Sequence, residues 1–315
     1  MSELSENSIL LRAERIAGDY LREPITESYP IVGKGMVNQV CVVATERRKV
    51  VVRMNDEAAY TRFEKEKWCI ERAAAAGIPV PEVLTVGTVE DSSYMIQTFI
   101  EGDNGLDSEV PESHIWRQLG GYARRFHAIE VSGFGEELVD PARGVFRSPP
   151  HPGSDGSWLG YVQYNINSLT ERDKLIELGV LTAETSERVR AIFERLKQQS
   201  FRFGLIHNDL SLKNTIVDPA GQAIVIDWEN AEVSVVPHED LIEIMKCQML
   251  GGSPDSDGFQ AFLDGYGYAE KELDVTWELL LLRAFDKLRW AIDRSPDLVE
   301  SFAAYAKRVV DRVLE

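Results

Sequence analysis

Residues 204–229 read GLIHNDLSLKNTIVDPAGQAIVIDWE and set His207, Asp209, Asn214 and Asp227 among apolar runs. Thr215, Ile216 and Val217 form one run, Asp218-Pro219-Ala220-Gly221 a turn, and Ala223 to Ile226 a second run that delivers Asp227. Apolar, turn, apolar is the pattern of a β-hairpin whose strands lie on a core. Asp209 and Asn214 enter the first strand and Asp227 leaves the second, so one loop and one strand end can converge. They would offer two carboxylates and an amide oxygen, hard donors suited to Mg²⁺.

Upstream of this stretch the chain changes character twice. Residues 5–21 carry Ile9, Ala13, Ile16, Ala17 and Tyr20 at helical spacing, and Pro24 follows. From Ser28 the pattern is one of strands, in SYPIVGKG, NQVCVVATE and KVVVRMN. The first two are bridged by a segment containing Gly33 and Gly35, where the backbone can approach a ligand closely and present N–H groups to phosphate. No GxxxxGK[ST] sequence is present, so this is not a P-loop. Arg53 interrupts the third strand, either as a solvent-facing residue or turned inward to a carboxylate or phosphate. Residues 57–76 predict a helix ended by Gly77 and Pro79, with Glu64 and Glu66 as candidate partners of Arg53. Two more strands, joined by a turn at residues 90–93, complete five strands and one helix behind the leading helix in about the first hundred residues. Gly102-Asp103-Asn104-Gly105 then reads as a hinge.

Beyond it the pattern is mostly helical. Residues 113–130 carry Ile115, Leu119, Tyr122, Ala123 and Phe126 on one face and end on His127, read as a structural hydrogen-bonding residue. Residues 132–157 are rich in Gly, Pro and Ser and predict a loop. Trp158, Tyr161 and Tyr164 fit either core or a substrate cleft. Residues 182–199 predict a helix capped by Thr182 or Thr185. Helices are also expected from residue 239, over 276–292 and over 299–314.

The chain has 315 residues, enough for two lobes with a sizeable core, at 44% hydrophobic and 27% charged content. No run is long enough to span a membrane and the N-terminus has no secretory pattern, so a cytoplasmic location is expected. Cys41, Cys69 and Cys247 sit singly in apolar surroundings and are read as reduced, mostly buried thiols. The formal net charge of -18 argues against a nucleic-acid binder. It either concentrates a cationic substrate or serves solubility alone.

A strand-rich lobe, a glycine loop, a strand cation, a helix glutamate and a hinge thus precede HxDxxxxN and a strand ending in Asp. This order resembles the aminoglycoside phosphotransferase and choline kinase superfamily, of protein-kinase-like fold. His207-Asn208-Asp209-Leu210-Ser211-Leu212-Lys213-Asn214 matches its catalytic loop and Ile226-Asp227-Trp228-Glu229 its metal-binding segment. Ile78-Pro79-Val80-Pro81 and Gly133-Phe134-Gly135 also resemble the family, and the likeness covers residues 28–245.

The resemblance implies an α+β, bilobal fold. Its lobes would be a small antiparallel-sheet nucleotide-binding lobe over residues 1–101 and a larger, mainly helical lobe over 102–315. It implies a small-molecule kinase, antibiotic-resistance enzymes among them, using Mg²⁺ and ATP or GTP. Asp209 would take or orient the proton of the acceptor hydroxyl, with Asn214 and Asp227 holding the metal. Gly33, Gly35, Arg53, Glu66, Thr98 and Ile100 would bind the nucleotide, Arg53 standing where relatives carry a strand lysine. His207 would support the loop, and Asp240 corresponds to a structural aspartate.

Asn208 is the residue that choline-type kinases commonly carry, so a choline or ethanolamine kinase is the alternative to an aminoglycoside-type enzyme. Ser211 replaces the catalytic-loop lysine of protein kinases and argues against a protein substrate. Glu229, Glu232, Glu239 and Glu243 cluster beyond Asp227, which fits a small cationic acceptor. A nucleotide-binding protein without activity and a hydrolase built on His207 and Asp209 are weaker readings. The oligomeric state is not legible in the sequence.

Overall fold

A computed structural model describes the chain over residues 3–31, 38–151 and 153–315. It divides into two compact units, Met1–Val110 with Leu212–Glu229, and Pro111–Ser211 with Asn230–Glu315. The expected α+β class is borne out, with an antiparallel sheet in the N-terminal part and mainly helices in the C-terminal part.

The first unit opens with α1 (Glu3–Leu21), followed by β1 (Ile25–Pro30), β2 (Gln39–Thr45), β3 (Lys49–Asp56), α2 (Tyr60–Ala75), β4 (Val83–Val89) and β5 (Ser92–Thr98). The strands form one antiparallel sheet in the order β1-β2-β3-β5-β4. Ala13, Ile16, Ala17 and Leu21 of α1 pack on Val50, Val52 and Met54 of β3. Tyr20, expected on that face, is instead 39% exposed. The buried stripe steps by four from Ala13 to Ala17 to Leu21, which turns residue 20 outward.

Strand alternation sends the odd positions of β3, Val51 and Arg53, to the opposite side of the sheet. There Phe63 of α2 packs with Met95, Val83 and Val86. Arg53 therefore faces α2, the inward of its two possible orientations. Cys41 and Cys69 are buried, and burial pushes their thiols up to about 11 and about 12, so both stay protonated.

After β5 the backbone runs into a two-residue strand, β6 (Asp103–Asn104). The glycines on either side have a packing reason. A Cβ on Gly102, at φ +151, would lie 2.3 Å from the Val217 carbonyl oxygen, and one on Gly105 would lie 2.7 Å from that of Leu212. Each lets later chain approach the strand closely.

The second unit begins with α3 (Glu112–Phe126), which ends at His127. Residues 132–147, expected as loop, form a small sheet. Its strands are β7 (Ser132–Phe134), β8 (Glu137–Asp140) and β9 (Val145–Arg147), in the order β7-β9-β8. Burial of Phe134 and Phe146 supplies the core such short strands need. Next come α4 (Trp158–Ser168), α5 (Lys174–Glu177) and α6 (Ala183–Gln198). The cap of α6 is a reciprocal box between Thr182 and Thr185, as their types predicted. Trp158 is core, ringed by Phe134, Phe201 and Phe203. The last strand before the catalytic-loop motif is β10 (Arg202–Ile206).

From Leu212 to Glu229 the chain belongs to the first unit. There β11 (Thr215–Val217) and β12 (Ala223–Val225) form the predicted hairpin, with Thr215 opposite Val225. The Asp218 carboxylate closes its turn by accepting the N–H groups of Ala220 and Gln222. On its other edge β11 pairs with β6.

The second unit then resumes with β13 (Glu232–Val236), antiparallel to β10, and α7 (His238–Met249), α8 (Ser256–Tyr266), α9 (Leu273–Arg294) and α10 (Val299–Leu314). The middle of α9, Leu279 to Leu282, is completely buried. Among the described residues no helix is long and apolar enough to cross a membrane.

Candidate active site

The first unit builds a charge cluster around Arg53. The guanidinium is 8% exposed and binds Glu66 of α2, itself 1% exposed. It also donates to Asp227 at 3.0 Å and to Glu229 at 3.4 Å. Burial alone would lower the guanidinium pKa, but Glu66, Asp227 and Glu229 together raise it. Burial raises the Glu66 carboxyl, and its ion pair with Arg53 works against that. Of the two candidate partners, Glu66 is the one that reaches Arg53.

Glu229 ties further parts of this unit together. Its carboxylate accepts from Asn38 Nδ2 at 2.6 Å, and its backbone oxygen accepts from Lys65 Nζ at 2.7 Å. Asn38 Oδ1 in turn accepts from Asn55 Nδ2 at 2.8 Å. The sequence signal for Lys65 was thin, since lysines on a helix are usually solvated. Its burial at 9% exposure marks it as a structural cation.

The hairpin brings Asn214 and Asp227 into this unit. Asn214 ends a 3-10 turn, is 6% exposed, and its carbonyl accepts the N–H of Ile226 at 3.0 Å. Asp227 sits at φ +64 with its side chain 40% exposed. Positive φ at a non-glycine residue is uncommon and marks a position held by its surroundings. Trp228, fully buried beside it, donates from Nε1 to the Val225 carbonyl and fixes the strand end. One amide oxygen and one half-exposed carboxylate suit Mg²⁺, which uses one or two protein oxygens beside substrate phosphates. Among the described residues no group of three or more His, Cys, Asp or Glu could hold a metal alone.

Of the other nucleotide-site candidates, Gly33 and Gly35 lie outside the described residues. The Thr98 N–H is spent on the Glu82 carbonyl at 2.9 Å, and the Thr98 hydroxyl accepts the Glu82 N–H. Ile100 follows, half-buried, just past the strand.

The second unit holds Asp209. Its loop leaves β10 through His207, fully buried, and Asn208, at φ +62. Asparagine tolerates this left-handed conformation better than most residues. The loop is anchored by Asp240 of α7, which has no exposure. Asp240 Oδ1 accepts the Asn208 N–H at 2.8 Å and Oδ2 accepts the His207 N–H at 3.2 Å. His127 Nε2 lies 2.9 Å from Oδ2, and its Nδ1 lies 3.0 Å from the Tyr266 hydroxyl. His127 is the hydrogen-bonding residue its position suggested, and Tyr266 is a member the sequence did not reveal. Asp209 itself is half-buried, one residue past the clamped backbone.

The carboxylates beyond Asp227 have internal cations. Arg283 donates to both oxygens of Glu239 at 3.0 Å, to Ser234 at 2.9 Å, and lies 3.6 Å from Glu232. Its guanidinium stacks on Tyr161 and Phe134. Burial works to lower the Arg283 pKa, but Glu239, Tyr161, Glu232 and Asp286 raise it overall. Glu243 pairs with Lys246. Glu232, Glu239 and Asp286 still leave carboxylates in excess of the single guanidinium.

A family model described as APH, phosphotransferase enzyme family, matches residues 28–275. Among solved structures the chain is similar to one assigned as a fructosamine-3-kinase from Haemophilus somnus 129PT. That match has a TM-score of 0.63 at 13% identity and covers 98% of this chain and 99% of the other. It is also similar to a thermostable mutant of aminoglycoside phosphotransferase APH(4)-Ia in ternary complex with AMP-PNP and hygromycin B. There the TM-score is 0.63 at 17% identity, covering 96% of this chain and 97% of the other. A Staphylococcus aureus protein of uncharacterised function, from the ileS 3′ region, is 27% identical over 123 residues, 37% of this chain and 88% of that protein. These structural likenesses establish the protein-kinase-like fold.

Proposed function

Because the chain belongs to the APH phosphotransferase enzyme family, we propose that it moves the γ-phosphate of ATP, or GTP, to a hydroxyl of a small, cationic acceptor. The observation that carries this reading is the clamp of Asp240 on the backbone of His207 and Asn208. A rigid approach to Asp209 is what a residue needs if it is to orient a hydroxyl and take its proton.

In this reading residues 1–101 form the core of the nucleotide-binding lobe and residues 102–315 supply the catalytic loop and the acceptor site. Arg53, held by Glu66, binds nucleotide phosphate, with Gly33 and Gly35 contributing backbone N–H groups and residues 98–100 receiving the base. Asn214 and Asp227 hold Mg²⁺, which supplies charge neutralisation at the phosphates when bound. Asp209 accepts the acceptor's hydroxyl proton as that oxygen attacks phosphorus. Ser211, in place of a lysine, keeps the loop suited to small acceptors.

The excess of carboxylates around Arg283 and the net charge of -18 support a cationic acceptor. The aminoglycoside-type acceptor is preferred over choline or ethanolamine. Asn208 was the residue favouring the latter, and its left-handed backbone accounts for an asparagine without reference to the acceptor.

Incubation with MgATP or MgGTP and a panel of aminoglycosides and amino alcohols tests the reading through acceptor-dependent ADP or GDP release. With the acceptor found, Asp209→Asn is expected to lower kcat by about 10²–10⁴-fold, the usual range for a lost general base. Undiminished turnover in that variant would remove Asp209 from the mechanism. Nucleotide binding without transfer to any hydroxyl compound would favour a non-catalytic role.

A further inference from the structure

α10 packs against its own unit through Tyr305, Ala306, Val309 and Val310 and leaves a second stripe uncovered. That stripe borders an open groove of about 510 Å³ whose lining includes Leu178, Pro296, Glu300, Ala303, Ala304 and Lys307. Leu178, at 41% exposure, forms the far rim together with Gly179, where even an added Cβ would meet no atom within 4 Å. A large aliphatic side chain held out over an open, mainly apolar groove is the kind of surface that marks an association site.

The order of residues along the stripe says which partner fits. Glu300 and Lys307 are two helical turns apart on one face, with the small pair Ala303 and Ala304 midway between them. Turned by a two-fold axis passing between those alanines, the stripe is its own complement. Glu300 falls opposite the partner's Lys307, Ala303 opposite the partner's Ala304, and the stem of Arg308 opposite the partner's Val299. Lys307 already holds Asp311 one turn on, but an ammonium has three donors and can take a second carboxylate. Alanines at the crossing let helix axes approach to the short end of the usual 8–10 Å range, about 8 Å.

We propose that this face is the interface of a homodimer, in which the α10 helices of two copies pair antiparallel about a two-fold axis. A self-complementary patch of this kind is what a closed two-fold dimer requires. The interface uses none of the residues assigned to phosphoryl transfer.

Sedimentation equilibrium of the full chain tests the proposal. The wild type is expected at twice its 35.5 kDa mass. Glu300→Lys and Lys307→Glu should each weaken the dimer by at least about tenfold through like-charge contacts at both ends of the seam. The double variant E300K/K307E should restore it, because the swapped charges again face opposite signs. Ala304→Cys should give a disulfide-linked dimer under copper-phenanthroline oxidation, whereas Leu250→Cys, also exposed but elsewhere on this unit, should not. A wild type at 35.5 kDa at all concentrations, a dimer unmoved by the single swaps, or equal cross-linking at residue 250 would each overturn the proposal.

Discussion

Replacing Asp240 by Asn changes almost no volume yet removes one acceptor from the catalytic-loop clamp. In the wild type one carboxylate oxygen takes the Asn208 N–H at 2.8 Å, and the other takes the His207 N–H at 3.2 Å while facing His127 Nε2 at 2.9 Å. A single amide oxygen can serve only one of the two backbone groups. The NH₂ then faces the other donor, and with the NH₂ in the Oδ2 place His127 must also adopt the tautomer that accepts at Nε2. One buried N–H goes unsatisfied, at about 1–3 kcal/mol, and the surviving bond loses its charge assistance, about 1 kcal/mol more. The expected loss of stability is about 2–4 kcal/mol, read as a lower urea midpoint at unchanged slope.

Hydrogen exchange should localise the damage, with faster exchange at the amides of residues 207 and 208. If even 1.4 kcal/mol of the loss is felt in positioning Asp209, kcat falls about tenfold. Nucleotide affinity, assigned to residues of the first unit, should hold within about twofold, a margin well under 1 kcal/mol. A variant as stable as wild type and with unchanged exchange at 207 and 208 would refute the clamp.

Two further outcomes follow from buried charge. Arg53→Met leaves Glu66 without its cation, so the protein should lose about 3–5 kcal/mol at neutral pH and bind nucleotide more weakly. Burial already raises the Glu66 pKa above its ordinary value of 4.5. Stability in this variant should therefore recover as pH falls through the raised folded value towards 4.5, checked by urea unfolding at pH 7 and pH 5. His238 works in the opposite sense. Burial, with a smaller contribution from His127, pushes its pKa down from 6.5 to about 4. Nδ1 of the neutral ring lies 2.8 Å from both the Tyr268 and the Thr276 hydroxyl, within reach of a hydrogen bond with either. A depressed folded pKa contributes stability that is present above pH 6.5 and lost as pH falls towards 4. The full shift corresponds to roughly 3 kcal/mol. His238→Gln should flatten the stability profile over that window, and an unchanged slope in the unfolding series would count against it.

Local patterns carried the first unit well. Alternation on β3 and helical spacing on α2 are short-range signals, and they offered Arg53 with Glu64 or Glu66 as a candidate pair; the inward orientation and the choice of Glu66 came with the packing of α2 on the sheet. The hairpin at 215–225 was legible for the same reason, since its turn residues and apolar runs are contiguous. The pairing of Asp103 and Asn104 with β11 was not, because it joins segments more than a hundred residues apart, and Gly102 and Gly105 then read as a hinge. The small sheet at 132–147 was hidden by its glycines: Gly133 and Gly135 let the chain pass close to the backbone of Phe146 and Ser148, and Gly144 closes the turn before β9. α8 carries an N-cap at Asp255 and a left-handed C-cap at Gly267, signals present in the sequence that went unread. The acidic cluster showed its charges but not their internal partners. Arg283 lies 44 residues beyond Glu239, and helical spacing cannot announce that contact.

The first unit is discontinuous in the chain, and that imposes an order on its assembly during synthesis. The strands carrying Arg53 and the helix carrying Glu66 are complete by Val110, but the hairpin bearing Asn214, Asp227 and Glu229 is made only after the intervening part of the second unit. At about 5–20 residues per second, the 119 residues from Pro111 through Glu229 take about 6–24 s to emerge. Through that interval the two-residue strand β6 waits for β11, and Arg53 has Glu66 as its one acidic partner among those described. The piece that would hold the metal is thus the last added to the lobe that would hold the nucleotide, so a chain stalled before Leu212 carries Arg53 and Glu66 without Asn214, Asp227 and Glu229.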